Sequence, residues 1–403
     1  MVWAIVPAGS KAADGFTPDQ VAVSEARDRG LTMGSGIYVE VVSDGSGFEG
    51  LKPDWDRLSA AMEVPSPFHS WEWVRTWWKH FGARRRMRIA VLREGENVVG
   101  IAPLYLVRYG PLLVLVPMGW PDRLTEMMEP IVPPQDRDRV EAALMEWLVR
   151  EHPVGLATGL SRSVALRVSD RALESDVYYD WRPLPESWDA LLDGLHRSMR
   201  GNTRYYPRLL QRGGHSLAFR VADGVDSVRA ALPTLYALHT ARSDAPSGEK
   251  HLDRLRDSVR RSFLDEIAGL LAERGEMKIG ILAVDGHDVA AQLWFEQEGT
   301  MFLHYSGYDP EWSRFSVAMI VTSEIIRLGI ERGMKRVEFL RGSKQFKTRW
   351  NTNQRKETDV YFVRYPWLLP MFHRVRSLRR KLRSRTYRRT AAQPAVEAMA
   401  GVD

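Results

Sequence analysis

The feature that most constrains the fold of this chain is an internal repeat. The stretch 91–102 (VLREGENVVGIA) aligns with 281–292 (ILAVDGHDVAAQ), and each is an apolar strand, a polar turn with glycine and a second apolar strand. Two predicted helices precede each stretch, and a strand, a helix and a strand follow it. The order β-α-α-β-β-β-α-β therefore occurs twice. Chance similarity between hairpins is the alternative, but the matching order of elements favours a duplication.

The repeat predicts a domain boundary at Pro183 and Pro185. We expect four segments: a flexible leader at 1–35, an N-terminal half at 36–185, a C-terminal half at 186–365 and a basic C-terminal segment at 366–403. Hydrophobic periodicity predicts strands at 37–42, 88–92, 98–107, 112–118, 154–160, 177–181, 217–221, 278–284, 289–295, 301–305, 337–340 and 358–363. It predicts helices at 51–62, 71–81, 136–150, 187–211, 226–241, 252–274 and 316–332. We therefore expect an α/β (α+β) fold in which each half has a mixed, mostly antiparallel sheet flanked by helices.

The composition excludes several classes of site. The chain has no cysteine, which removes disulfides, thiolate metal sites and a cysteine nucleophile. None of the ten histidines shows HExxH-type spacing, and we predict no metal. No run approaches the roughly 18 apolar residues that a membrane span needs. The first residues have no basic n-region and no long apolar stretch, so we expect a cytoplasmic protein.

Positive charge is concentrated near the end of the chain. The formal net charge is +6, but 374–389 contains nine Arg and Lys and no acid, so the remainder carries −3. A mildly acidic body argues against general nucleic-acid binding. An apolar stretch at 367–372 precedes the basic segment, a pattern that suits an anionic membrane surface at the inner membrane face. RNA binding and a solvated extension are the alternatives for this segment.

Several short sequence motifs resemble those of one known family. They are PFHSWEW at 67–73 followed by WWKHFG at 77–82, LHTAR at 238–242, YSGYDP at 305–310, VEFLRG at 337–342 and FKTRW at 346–350. Together with the element order, which looks like the GNAT acyltransferase fold, they resemble the CelD/BcsL-type (BioF2-like) acetyltransferases over about residues 36–365. That family is similar to tandem GNAT proteins, including the Fem-type aminoacyl transferases.

The resemblance implies an activity and its substrates. It implies acyl transfer from acetyl-CoA or another acyl-CoA to an amine or hydroxyl of a small-molecule, glycan or peptide acceptor, often in envelope polysaccharide or cell-wall metabolism. Transfer would be direct, so no covalent intermediate and no cysteine are needed. Two rival interpretations stay open: a Fem-like transferase that uses aminoacyl-tRNA, and a degenerate GNAT protein that binds without catalysis.

We expect the donor's pyrophosphate at the start of the helix predicted for 316–332. Its first amide groups and its dipole favour an anion. Arg314 could add a charge-assisted contact, and Ser316 could contribute or could simply cap the helix. GNAT phosphate loops usually carry glycine, whereas this chain has Val317 and Ala318. The region 130–135 before the corresponding helix of the first half is neither basic nor glycine-rich, so we predict no donor site there.

Three residues are candidates for the chemistry. Tyr305 could line the acyl site or protonate the leaving thiolate, or could fill a sheet face. Glu338 stands among apolar residues of a strand and could be a general base with a raised pKa, or could pair with Arg336 or Arg341. Lys347 resembles the family's lysine after an aromatic residue and could stabilise an oxyanion or hold an acidic acceptor; a surface lysine is the alternative.

The remaining candidates concern the substrates. His239 and Arg242 lie three residues apart on one predicted helix and could hold a phosphate or carboxylate of the acceptor. By resemblance the substrate-binding set also includes Tyr308, Arg341 and Phe346.

Overall fold

The computed structural model describes residues 36–109, 112–120, 124–245, 252–341 and 345–370. The predicted leader and the basic stretch 374–389, with its predicted membrane contact, lie outside these residues. In the described part of the chain, no helix is long and apolar enough to cross a membrane.

The N-terminal half follows the predicted element order. Its strands are β1 (Ile37–Val42), β2 (Arg86–Met87), β3 (Ile89–Glu94), β4 (Asn97–Ala102), β5 (Leu104–Tyr109), β6 (Leu112–Pro117), β7 (Val154–Leu160) and β8 (Ala172–Pro183). Its helices are α1 (Gly45–Gly50), α2 (Lys52–Ala60), α3 (Trp71–Phe81), α4 (Arg137–Glu151) and α5 (Arg162–Leu166). The predicted strand at 98–107 is divided at Pro103, because proline cannot donate to a ladder. β4 therefore pairs with β3 in a three-stranded sheet, and β5 pairs with β6 in the main sheet.

The C-terminal half repeats this order. Its helices are α6 (Trp188–Asp193), α7 (Arg197–Arg212), α8 (Val225–Asp244), α9 (Ser258–Glu273), α10 (Val317–Glu331) and α11 (Gln345–Thr348). Its strands are β9 (Leu217–Asp223), β10 (Met277–Val284), β11 (His287–Gln297), β12 (Thr300–Tyr308), β13 (Arg336–Arg341) and β14 (Asn353–Val363). The helical block predicted at 187–211 is two helices, α6 and α7, since the chain leaves helical geometry after Asp193.

Local sequence explains why these elements begin and end where they do. The Ser70 side chain accepts a hydrogen bond from the Trp73 amide and begins α3, which ends at Gly82. The β10–β11 hairpin turns at Asp285 and Gly286, both with positive φ. Positive φ at both turn residues is the geometry that suits the twist of a two-residue hairpin.

The two halves share one eleven-stranded mixed sheet. Its order is β2-β5-β6-β7-β14-β8-β13-β12-β11-β10-β9. The last strand of the sequence, β14, lies between β7 and β8, while β8 from the first half pairs with β13. The halves thus exchange their last strands, and the structure confirms the predicted mixed α/β fold.

Aromatic packing joins the halves a second time. Trp73 of α3 lies with its ring centroid 5.0 Å from that of Phe263 of α9. Phe68 contacts Phe295 and His304 of the second half at centroid distances of 5.7 and 5.4 Å. The motif at 67–73 is therefore core structure that supports the sheet behind β12.

Candidate active site

A cleft opens where two neighbouring strands of the second half separate. β12 and β13 pair in parallel only from Thr300 to Phe302, opposite Arg336 to Glu338. Beyond this point β12 stays with β11 while β13 follows β8. The gap contains a cavity of about 520 Å³. This cavity is lined by β12, the start of α10, α11 and one face of α7. Ligand pockets in proteins have a similar size, roughly 300–1,000 Å³.

The start of α10 forms one wall of this cavity. A 3₁₀ turn at Pro310–Phe315 leads to Ser316, whose left-handed backbone (φ 51°, ψ 42°) starts the helix. Successive amides around such a residue form a concave, anion-binding surface. The Ser316 side chain makes no capping hydrogen bond, so the alternative that it simply caps α10 is not supported. Ser313, Ser316, Val317 and Ala318 all line the cavity.

Two predicted donor-site features differ in their placement. Ala318 lines the cavity at the second position of α10, so its methyl group stands where a glycine would leave only backbone. Arg314 is exposed, stacks on Phe315 at 4.6 Å and is not among the residues that line the cavity. The structure therefore places Ala318, but not Arg314, against the cavity.

α8 supports β12 and contributes one cation. The Arg242 guanidinium lines the cavity, donates to the Ser306 hydroxyl at 3.1 Å and lies 5.4 Å from the centre of the Tyr308 ring. His239 is buried behind the strand, where Nδ1 donates to the Ser306 carbonyl at 3.0 Å. Burial lowers the pKa of His239. Arg242 and Tyr308 can thus contact a substrate, whereas His239 holds the strand.

Lys347 closes the other side of the cavity. Its ammonium group donates to the carbonyls of Leu340 and Arg341, each at 2.9 Å. Leu340 has a left-handed backbone (φ 61°) beside a register shift in the β13–β8 pairing. Lys347 therefore holds the irregular end of β13 and adds positive charge to the cavity, which Phe346 also lines.

Three predicted site residues do not line the cavity. Tyr305 packs between His239 and His304, with ring centroids 5.5 and 4.3 Å away. Glu338 is fully buried on β13 and pairs with Arg336 at 2.5 Å; burial raises its pKa. Arg341 pairs with Asp359 at 2.6 Å. The alternative of an ion pair between Glu338 and Arg336 is present. The carboxylates of Glu338 and Asp359 lie in the sheet and do not line the cavity.

Several polar residues of the cavity were missed from the sequence, among them His304. His304 lines the cavity, and its Nε2 lies 3.0 Å from the Leu124 carbonyl, which can only accept. Burial lowers the pKa of His304 to about 3, so the ring is neutral. Nδ1 must then carry the lone pair, and it is a buried atom without a hydrogen-bond partner among the described residues. A histidine in the otherwise apolar stretch 301–305 was the available signal.

The corresponding region of the first half is filled by charged side chains. The turn before α4 meets β14 at Glu129, Arg137, Arg355 and Glu357, which surround a cavity of only about 20 Å³. Arg355 lies 3.3 Å from Glu357 and 3.9 Å from Glu129. Although burial opposes ionisation, His69 and Arg355 lower the pKa of Glu129 to about 2. Burial and the negative charge of Glu129 raise the pKa of Glu357. An ionised carboxylate here would repel a phosphate.

Among the described residues, no group of three or more His, Asp or Glu is placed to hold a metal ion.

Comparisons with known proteins give one family match and several similar structures. Residues 197–348 match a family described as acetyltransferase (GNAT) domain. The crystal structure of FemX aligns with a TM-score of 0.55 and 12% identity, over 79% of this chain and 97% of that one. L-PGS from Bacillus licheniformis aligns with a TM-score of 0.44 and 13% identity, over 75% and 93% of the two chains. A tandem GNAT protein from the clavulanic acid biosynthesis pathway has a TM-score of 0.43 and 13% identity, over 81% and 99%. No curated protein matches in sequence.

The match to a GNAT acetyltransferase domain therefore covers residues 197–348. The likeness to FemX, at 12% identity, shows the fold alone. The narrower resemblance to the CelD/BcsL type stays a prediction.

Proposed function

We propose that this chain, with its GNAT acetyltransferase domain at 197–348, transfers an acyl group from acyl-CoA to an amine or hydroxyl acceptor. The observation that carries the proposal is the cleft between β12 and β13, with the start of α10 at its wall. A strand edge freed of its neighbour can pair with an amide-containing chain such as pantetheine. The adjacent helix start suits a pyrophosphate.

The residues of the cavity fit such a donor. The hydroxyls of Ser313 and Ser316 and the first amides of α10 would hold the phosphates. Lys347 and Arg242 add positive charge at the reacting end, where negative charge develops on the carbonyl oxygen during acyl transfer.

The reaction is a displacement at a thioester. The acceptor's nitrogen or oxygen forms a bond to the acyl carbon, the carbon–sulfur bond breaks, and the acceptor's proton passes to the leaving sulfur. His304 would orient the acceptor, because the lone pair on Nδ1 can accept a hydrogen bond from an amine or hydroxyl. With a pKa of about 3 it is a weak base, so its contribution is positioning.

We propose envelope glycans or peptides as the acceptor class, because the short sequence motifs resemble those of CelD/BcsL-type enzymes. The first half would shape the acceptor side, since its own donor position is filled by Glu129, Arg137, Arg355 and Glu357. The basic stretch 374–389 would bring the enzyme to an anionic inner membrane face.

A thiol-release assay tests the activity. Because the chain has no cysteine, a disulfide reagent reports only the thiol released from acetyl-CoA. We expect acceptor-dependent release with at least one of an amino sugar, a polyamine or a peptidoglycan-type peptide. Absence of release with all of them, together with absence of acetyl-CoA binding, would favour the aminoacyl-tRNA or non-catalytic interpretation.

A further inference from the structure

The helix α7 carries a cationic face on the side turned away from the cavity. Its sixteen residues include Arg197, Arg200, Arg204, Arg208 and Arg212 and no acid. Within the described part of the chain, Arg200 alone among these five has an ion-pair partner, Asp193 at 3.2 Å. The other four are exposed, and Tyr205, 48% exposed, lies among them. We call Arg197, Arg204, Tyr205, Arg208 and Arg212 the arginine face.

The opposite side of the same helix belongs to the cleft. Met199, Asn202 and Tyr206 of α7 line the cavity together with Ser313 and Ser316. The arginine face is therefore separated from the cavity by the thickness of one helix, about 10–12 Å with its side chains. Arg204 and Arg212 are separated by about 12 Å along the helix axis, at 1.5 Å per residue.

The carboxylates closest in the fold already have partners. The end of α7 approaches the turn before α10 through His215, whose ring lies 5.0 Å from that of Trp312. Asp285 accepts from His215 at 2.7 Å and from the Ser216 amide at 2.8 Å. Asp309 accepts from the Glu311 amide. Glu311 and Arg314 of that turn carry opposite charges, and α7 itself contains no acid.

We propose that the arginine face binds the distal end of the acyl carrier, the 3′-phosphate and the adenine of CoA. This rests on the proposed function and adds a second phosphate-binding element outside the start of α10. Guanidinium groups suit phosphate because they donate two parallel hydrogen bonds. Tyr205 offers an exposed ring on which the adenine can stack, supported by Arg212 at 5.8 Å.

Calorimetry and kinetics with the full chain test this proposal. The variant is Arg204→Glu/Arg208→Glu, and the matched control is Arg108→Glu/Arg167→Glu, which makes the same charge change at exposed positions of the first half. We expect the variant to raise the Kd for acetyl-CoA at least tenfold and to reduce its salt dependence. The control should bind like the wild type. A short acetyl thioester without phosphates should react with equal kcat/KM in all three proteins.

The outcomes separate the two proposals. If the wild type binds acetyl-CoA and the variant binds it within twofold, the arginine face does not hold the carrier, while the proposed function stands. If the wild type neither binds acetyl-CoA nor uses the short thioester, both proposals fail. Binding of anionic vesicles or RNA that only the variant loses, with an unchanged Kd for acetyl-CoA, would reassign the face and overturn this inference.

Discussion

At the residue scale, the site depends on groups whose charge is set by burial. His304 is neutral because its ring is enclosed and its Nε2 donates to the Leu124 carbonyl. The sequence motifs pointed to Lys347, Arg242 and Tyr308, which line the cavity. The same motifs could not exclude Glu338 from the site. The side of β13 on which Glu338 lies depends on the irregular pairing of β13 with β8, which is distant in sequence.

The buried state of His304 predicts a pH dependence of stability. The folded pKa of about 3 lies below the usual 6.5, so the unfolded chain binds a proton that the folded chain does not. Stability should therefore fall as the pH decreases from about 6.5 towards 3, by up to about 1.4 kcal/mol per pH unit from this group. Urea unfolding of wild type and His304→Phe at pH 7 and 5 measures the difference. Equal losses of stability in both proteins would contradict the assignment.

Replacement of Lys347 should reduce catalysis while the protein stays folded. Lys347→Ala removes the ammonium group beside the reacting end of the cavity, and we expect kcat to fall roughly 100-fold, as for loss of one oxyanion donor. Lys356→Ala is the matched control, since Lys356 is a half-exposed lysine paired with Asp176. Thiol release measures both variants, and circular dichroism checks folding. Wild-type turnover in Lys347→Ala would remove this residue from the mechanism.

At the element scale, α8 packs closely on β12, the strand that forms one side of the cleft. Gly307 allows this: a Cβ there would lie against the backbone of Leu238 and His239. The periodicity of the sequence predicted both elements, and their bounds needed only extension at the ends. The division of the predicted strand at 98–107 and of the helix at 187–211 was missed, because an isolated proline or a short non-helical turn leaves the apolar periodicity intact.

The close approach of α8 and β12 gives a stability prediction. Gly307→Ala should destabilise the protein by about 1–3 kcal/mol, the usual cost of overpacking. Gly201→Ala is the control, because Gly201 lies inside exposed α7 with open space around it, and alanine there should stabilise by up to about 1 kcal/mol. Denaturant midpoints measure both changes. Equal midpoints for the two variants would show that the α8–β12 packing is looser than described.

At the scale of the whole molecule, the two halves are joined by exchanged strands. The repeat predicted two similar units, but it could not predict that β14 lies between β7 and β8, because strand pairing is non-local. The domain boundary at 183–185 stays a prediction. β8 ends at Pro183, where it pairs with β13 within the shared sheet.

The exchange predicts that both halves unfold together. Native-state hydrogen exchange should give the same opening free energy for the best-protected amides of α3 and α9, which pack against each other through Trp73 and Phe263. Mass spectrometry of peptides from each helix measures this. Gly307→Ala, in the second half, should lower both values equally. A lower value for only one helix would mean that the halves are independent.

The central claim is that the start of α10 receives the phosphates of an acyl carrier. Ala318→Asp tests it most directly, because a carboxylate in the first turn suits the helix dipole but repels a phosphate, and Ala318→Asn supplies similar bulk without charge. In calorimetric titration with CoA, the account predicts saturable binding by the wild type, weaker binding by Ala318→Asn and loss of binding by Ala318→Asp, with all three folded. Equal affinity of Ala318→Asp and wild type would contradict it.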